Sequence, residues 1–185
     1  MHFAPDTTDV LAFDVVLLNT SASASRSGAD ELATVEQLGA LLAGSGFSGR
    51  IDHDERELRE VHEARTELRR LWSLDRETMV GEVNALLAAA DATPRLVRHD
   101  DFDWHVHATA DDAPLAVPIR VEAALALVDV IRSDEVGRLR ACEAPDCDGV
   151  LVDLSRNGSK RFCSVRCGNR MNMVAFRARR PPGGA

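Results

Sequence analysis

The chain has 185 residues, 45% of them hydrophobic, and a formal net charge of −8. That size and apolar content allow a buried core and exclude any need for covalent staples to hold it. Aromatic residues make up only 4% and Tyr is absent, which excludes an aromatic-rich core and leaves Leu, Val and Ala to build one from packed helices.

Thr8 or Asp9 can cap a first helix whose apolar residues Val10, Phe13, Val16 and Leu17 share one face; Asn19 at its end could cap it or line a ligand pocket, and capping is the preferred reading. The stretch Val10–Leu18 is interrupted by Asp14, preceded by acids and too short to span a bilayer. No secretory or membrane segment is therefore expected, and the protein is expected to be cytoplasmic. Residues 21–28 are rich in Ser, Ala and Gly and read as a loop. A second helix is expected over Thr34–Ala43, stopped by Gly44 and Gly46. Asp52 or Asp54 then starts a long charged helix in which Leu58, Val61, Ala64, Leu68, Leu71 and Trp72 recur at helical spacing. A shorter helix over Thr78–Ala90 ends before Pro94.

Residues 95–99 and 103–107 carry β-compatible, alternating patterns that predict a hairpin turning at 100–102. His99, Asp101, Asp103, His105 and His107 share one parity and could build a second metal or small-molecule site, making an enzyme the third reading of the chain. A turn at 100–102 would break that register, so an outward polar face is the preferred reading, with no catalytic residues assigned. Trp104, like Trp72, is expected in the core. Pro114 and Pro118 punctuate a loop before the most apolar helix, Ile119–Ile131. The domain boundary is expected at Asp134–Gly137, giving a helical domain over 1–135 and a small unit over 136–185.

All four cysteines fall in that last unit, as Cys142-x4-Cys147 and Cys163-x3-Cys167. Without a route to an oxidising compartment, paired cysteines point to metal rather than disulfides. Four thiolates close a tetrahedral shell, so one structural Zn2+ is expected, not a catalytic one. Pro145 and Asp146 turn the chain within the first pair. The second pair is spaced to share one face of a helix starting near Ser164. Val150-Leu151-Val152 is expected to pair with Arg161-Phe162 around the Asn157-Gly158 turn, giving a treble-clef-like or zinc-ribbon-like module. The fold class expected is mainly α (α+β): a helical N-terminal domain with a small hairpin, then this module.

Charge is unevenly spread. Residues 142–185 hold eight basic residues (Arg156, Lys160, Arg161, Arg166, Arg170, Arg177, Arg179, Arg180) against four acids, a net +4 that leaves −12 for the remainder. Arg166, Arg170, Arg177 and Arg180 cluster along one side of the last expected helix, with Met173, Val174 and Phe176 packing elsewhere. Arginine forks bind phosphate, so these eight residues are the candidate nucleic-acid contacts. The competing reading is that the cations offset a zinc tetrathiolate and the acidic body. Arg also outnumbers Lys 21 to 1, as a GC-rich bacterial genome would favour.

The run Cys163-Ser164-Val165-Arg166-Cys167-Gly168-Asn169-Arg170 resembles the signature of the CGNR zinc-finger family, as do Cys142-x4-Cys147 and Val152–Gly158 before it. Upstream, Leu17-Leu18-Asn19-Thr20 and the helices around Leu38, Leu58 and Val121 are similar to the ABATE domain that such fingers usually follow, described as a stress-induced transcription regulator. The chain departs from the finger pattern at Asn172, where the family often has a basic residue, and at Phe162, where Trp is common. The resemblance implies zinc at the four cysteines and double-stranded DNA as partner. The expected function is a transcription regulator whose N-terminal domain senses a small-molecule effector or forms a homodimer. The alternative is a zinc-stabilised protein-interaction or assembly module that binds no nucleic acid.

Overall fold

A computed structural model describes residues 3–45, 47, 49–98 and 103–179, which form six helices and two small antiparallel hairpins. The first helix, α1 (Pro5–Leu18), opens on a proline, whose missing amide costs nothing in a first turn. It starts earlier than the Thr8 or Asp9 cap suggests, and its buried stripe is Thr7, Leu11, Asp14, Leu17 and Leu18, with Val16 exposed. α2 (Val35–Leu42) begins with a reciprocal capping box in which Thr34 and Gln37 each satisfy the other's backbone amide. Gly46, expected to help stop this helix, lies outside the described residues.

Asp54 caps α3 (Glu55–Leu71) by accepting from Glu57 N–H, while the Glu57 carboxylate reaches back to the amides of Asp52 and His53 at 2.8 and 2.9 Å. The expected apolar stripe of α3, from Leu58 to Trp72, is buried. Arg65 is buried with it and donates to Asp30 at 2.6 and 2.8 Å and to Thr20 Oγ1 at 2.8 Å, pinning the loop after α1. That hydrogen-bonded guanidinium holds the Asp30 carboxyl below its ordinary range. α4 (Arg76–Ala89) is capped by Asp75 and buries Met79, Val83 and Leu86.

β1 (Arg95–Val97) pairs with β2 (His105–His107), so the hairpin forms as expected, while its turn, with His99 and Asp101, lies outside the described residues. Trp104 is not a core residue: it is 63% exposed, with the Arg98 guanidinium over its ring at 5.5 Å. Next comes α5 (Ala116–Arg132), which packs against α1, α3 and α4 and is the centre of the core. Pro118 sits inside its first turn rather than in a loop, because first-turn amides have no helical partner to lose.

A short 3-10 turn at Val136–Arg138 leads into β3 (Leu139–Ala141), which pairs antiparallel with β4 (Val150–Val152) in the register Leu139↔Val152. This corrects the expected pairing of 150–152 with Arg161-Phe162. Leu139, Val150 and Val152 join the main hydrophobic core, and a partner strand that also reaches this core wins over a local turn. Gly158 keeps its turn conformation, φ 57°, without a ladder. The last helix is α6 (Val165–Ala178), with Ser164 as N-cap.

Candidate metal centre and basic helix

The hairpin β3–β4 is fixed on its inner side before it offers anything to a ligand. Asn19, just past α1, clasps β4 through two hydrogen bonds: Nδ2 donates to Val150 O at 2.9 Å and Val150 N donates to Oδ1 at 2.8 Å. Asn19 is the C-cap of α1 as expected, its amide donating to Val15 O at 3.1 Å, and its side chain adds a bridge to a strand 131 residues away. Trp72 Nε1 donates to Leu151 O at 3.1 Å, which satisfies the indole in the core. Arg69 donates to Leu18 O at 3.1 Å and also to Asp148 O, and Asp148 N donates to Ser23 O at 3.2 Å.

Two cysteines sit in the loop that joins β3 to β4, and two at the start of α6. Cys142 follows β3, and its amide donates to Gly149 O at 2.7 Å. Cys147 closes the Ala144-Pro145-Asp146 turn, its amide donating to Ala144 O at 3.1 Å. Cys163 stands just before the Ser164 cap rather than in the helix, and only Cys167 lies in α6, where its amide donates to Ser164 Oγ at 3.2 Å. The four sulfurs lie within 4.8 Å of one another, the only such group of His, Cys, Asp or Glu among the described residues that could hold a metal ion. The Cys147–Cys163 and Cys163–Cys167 sulfur separations are 3.6 and 3.8 Å. A tetrahedron with metal–sulfur bonds of about 2.3 Å has edges of about 3.8 Å, so the cluster has the dimensions of a tetrathiolate zinc site.

Local hydrogen bonds favour that use. Gly149 N donates to Cys147 Sγ at 3.4 Å and Cys163 N to Cys142 Sγ at 3.5 Å. As bare thiols the group is ill at ease: burial pushes Cys147 and Cys163 upward, and crowding by neighbouring sulfurs adds to the rise at Cys163. At Cys167 burial also pushes upward, but the Ser164 hydroxyl and the other thiols more than offset it and the net shift is downward. A divalent cation resolves this conflict by replacing the shared protons.

Asp153 is a structural residue that the sequence reading did not single out. Its buried carboxylate accepts from Ser155 N and Oγ at 3.0 and 2.5 Å and from Lys160 N at 2.7 Å, and it pairs with Arg140 at 3.2 Å. Burial raises its pKa, but these donors more than offset that and hold it below the ordinary range. The signal available was the Asp-x-Ser spacing of a side-chain-closed turn.

The basic residues divide into two groups. Arg161 pairs with Glu143, Arg170 pairs with Asp146 across the first cysteine turn, and Arg166 donates to Arg26 O at 2.5 Å. Arg156, Lys160 and Arg177 are exposed and make no ion pair among the described residues, while Arg179 bonds only its own helix at Ala175 O. Arg180 lies outside the described residues. Every described residue from Asn172 to Arg179 is exposed. Met173, Val174 and Phe176, expected to pack, are 51%, 52% and 54% exposed. Met173, seven residues from Arg166, also lies on the arginine side rather than away from it.

His105 and His107 do not form an outward polar face. Their rings meet edge to face with Nε2 atoms 3.1 Å apart, His105 Nδ1 donates to Asp103 O at 2.8 Å, and both rings line a cavity against α1 and α5.

Two family models match the chain. Residues 12–134 match ABATE, described as "putative stress-induced transcription regulator", and residues 138–180 match the CGNR zinc finger. No curated protein matches it. No described helix is long and apolar enough to cross a membrane.

Proposed function

The chain belongs to the ABATE family and ends in a CGNR zinc finger, and from that premise we propose that it regulates transcription by binding double-stranded DNA through its last helix. The two matches together suggest a zinc-binding regulator; contact with DNA is the further step. Cys142, Cys147, Cys163 and Cys167 would hold one zinc ion, whose closed shell supplies folding free energy on the order of 10 kcal/mol. Around it, Ser164 starts α6 and Arg170 braces the Asp146 turn.

The observation that carries the reading is the solvent-exposed half of α6, which leaves Arg177 and Arg179 without a carboxylate partner among the described residues; Arg156 and Lys160, on the turn after β4, are likewise exposed and unpaired there. A helix end with no buried residue gains little from packing on its own fold and is suited to a groove. In this reading Arg156, Lys160, Arg177, Arg179 and Arg180 neutralise phosphates, with Arg166 at the near end, and Arg161 and Arg170 shape the finger. Four to five such contacts give a log–log salt slope of about −4. Fluorescence anisotropy with random-sequence duplex DNA at two salt concentrations tests this. Arg177→Ala should weaken binding and reduce the slope by about 1; undetectable binding at low salt would refute the reading.

A second reading rests on Met173, Val174 and Phe176: an exposed apolar edge on a basic helix also suits a protein partner. A protein pulled down through α6, its capture abolished by Phe176→Ala while DNA affinity stays negligible, would favour that reading. The N-terminal helices would then serve as its sensing or dimerising body, as in the first.

A further inference from the structure

The molecule holds a buried acid with nothing to bind. Asp14, midway along α1, is 1% exposed, and neither carboxylate oxygen has a hydrogen-bond partner among the described residues. It faces a cavity of about 380 Å³ walled by α1, the hairpin strand β2 and α5. An unsatisfied buried carboxyl costs a protein stability and calls for an explanation, of which a bound ligand is one. Glu122 of α5 lines the same cavity, and burial pushes its pKa up to about 7. Asp14 is raised too, by burial first and by the charge of Glu122 second.

The lining is mainly acidic. Asp6, Asp9, Asp14, Glu122 and Asp129 face the cavity against the single guanidinium of Arg132, with His105 and His107 of β2 closing one wall. Val10, Phe13, Phe47 and Ile119 share the lining, so the space mixes acidic and apolar groups. The acids and imidazoles do not converge as a metal cage would: among the described residues only the cysteines form such a group. A bare divalent ion is therefore a poor occupant. A small organic ammonium ion would suit both kinds of group, its N–H groups offering partners to the Asp14 carboxyl and its hydrocarbon part displacing water from the apolar residues.

We propose that the cavity between α1, β2 and α5 binds a small amine with an apolar body, with Asp14 and Glu122 as its counter-charges. Its role as an effector site rests on the regulatory reading above; the binding itself does not. Isothermal titration of the full-length, zinc-loaded chain with hexylamine, hexanol and hexanoate, in the absence of DNA, tests it. Saturable binding of hexylamine alone is expected, weakened at least tenfold by Asp14→Asn and also weakened by Glu122→Gln. Binding of hexanol or hexanoate as tight as that of the amine, no amine binding, or amine binding unchanged in Asp14→Asn would overturn the proposal. Since no DNA is present, loss of the DNA-binding reading would leave this result standing, and the reverse holds equally.

Discussion

Replacing Gly149 with alanine tests the metal centre more sharply than removing a cysteine, because it leaves all four sulfurs in place. A Cβ at that position would lie 2.7 Å from Cys163 Sγ and 3.1 Å from both Cys147 Sγ and Cys163 Cβ. Comfortable contacts between such atoms fall near 3.5–4.0 Å, so the overlap with Cys163 is roughly 1 Å. In the stripped protein Cys163 can swing aside. With metal bound it cannot, since its sulfur must keep a tetrahedral edge of about 3.8 Å to its neighbours. The strain thus falls on the loaded state. Overpacking of this kind costs about 1–3 kcal/mol, or roughly a five- to hundredfold loss of zinc affinity. Competition against a chromogenic chelator measures it directly. Gly39→Ala, in α2 with nothing within 4 Å of the added carbon, is the control and should leave zinc affinity unchanged. Undiminished affinity in Gly149→Ala would mean that the thiols do not converge around an ion beside Gly149, and the geometric argument would be lost.

Glu122 gives a pH signature. Its pKa rises from 4.5 to about 7 on folding, so its contribution to stability is present below about pH 4.5 and is lost as pH climbs to about 7. Glu122→Gln should therefore stabilise the protein by up to about 3 kcal/mol at about pH 8 and by almost nothing at about pH 4.5, as read from urea unfolding at the two pH values. Asn19→Ala strands both the amide and the carbonyl of Val150 and should cost about 3 kcal/mol, whereas Asn19→Asp keeps an acceptor for the amide and should cost less. Trp72→Phe loses the bond to Leu151 O and should cost about 1 kcal/mol, while Trp104→Ala should stay within about 0.5 kcal/mol; equal effects in thermal unfolding would contradict their assigned burial.

Local chemistry was legible in the sequence, and long-range partnership was not. Asp54 and Thr34 announce helix starts because each cap is completed within three residues. The long stripe of α3 is legible because charged residues separate its apolar ones and leave a single face to bury. In α1, Val15-Val16-Leu17-Leu18 offers two overlapping faces, and only its neighbours decide that Val16 points outward. The cysteine spacing carries its own geometry, so the cluster was visible from the start. The partner of β4 was not, because Asn157-Gly158 signals a turn whether or not strands flank it, and burial of Leu139 against the main core decides the pairing. Asp14 was visible only as an interruption in an apolar run; that it meets Glu122, 108 positions later, depends on the packing of α1 against α5.

The position of α1 has a mechanical consequence. Its 14 residues make a rod about 21 Å long. Asp6, Asp9 and Asp14 along it line the cavity, and Asn19, immediately past its end, grips β4, which follows the loop that carries Cys142 and Cys147. Such a rod has little give along its axis, so the cavity wall and the hairpin share one stiff element.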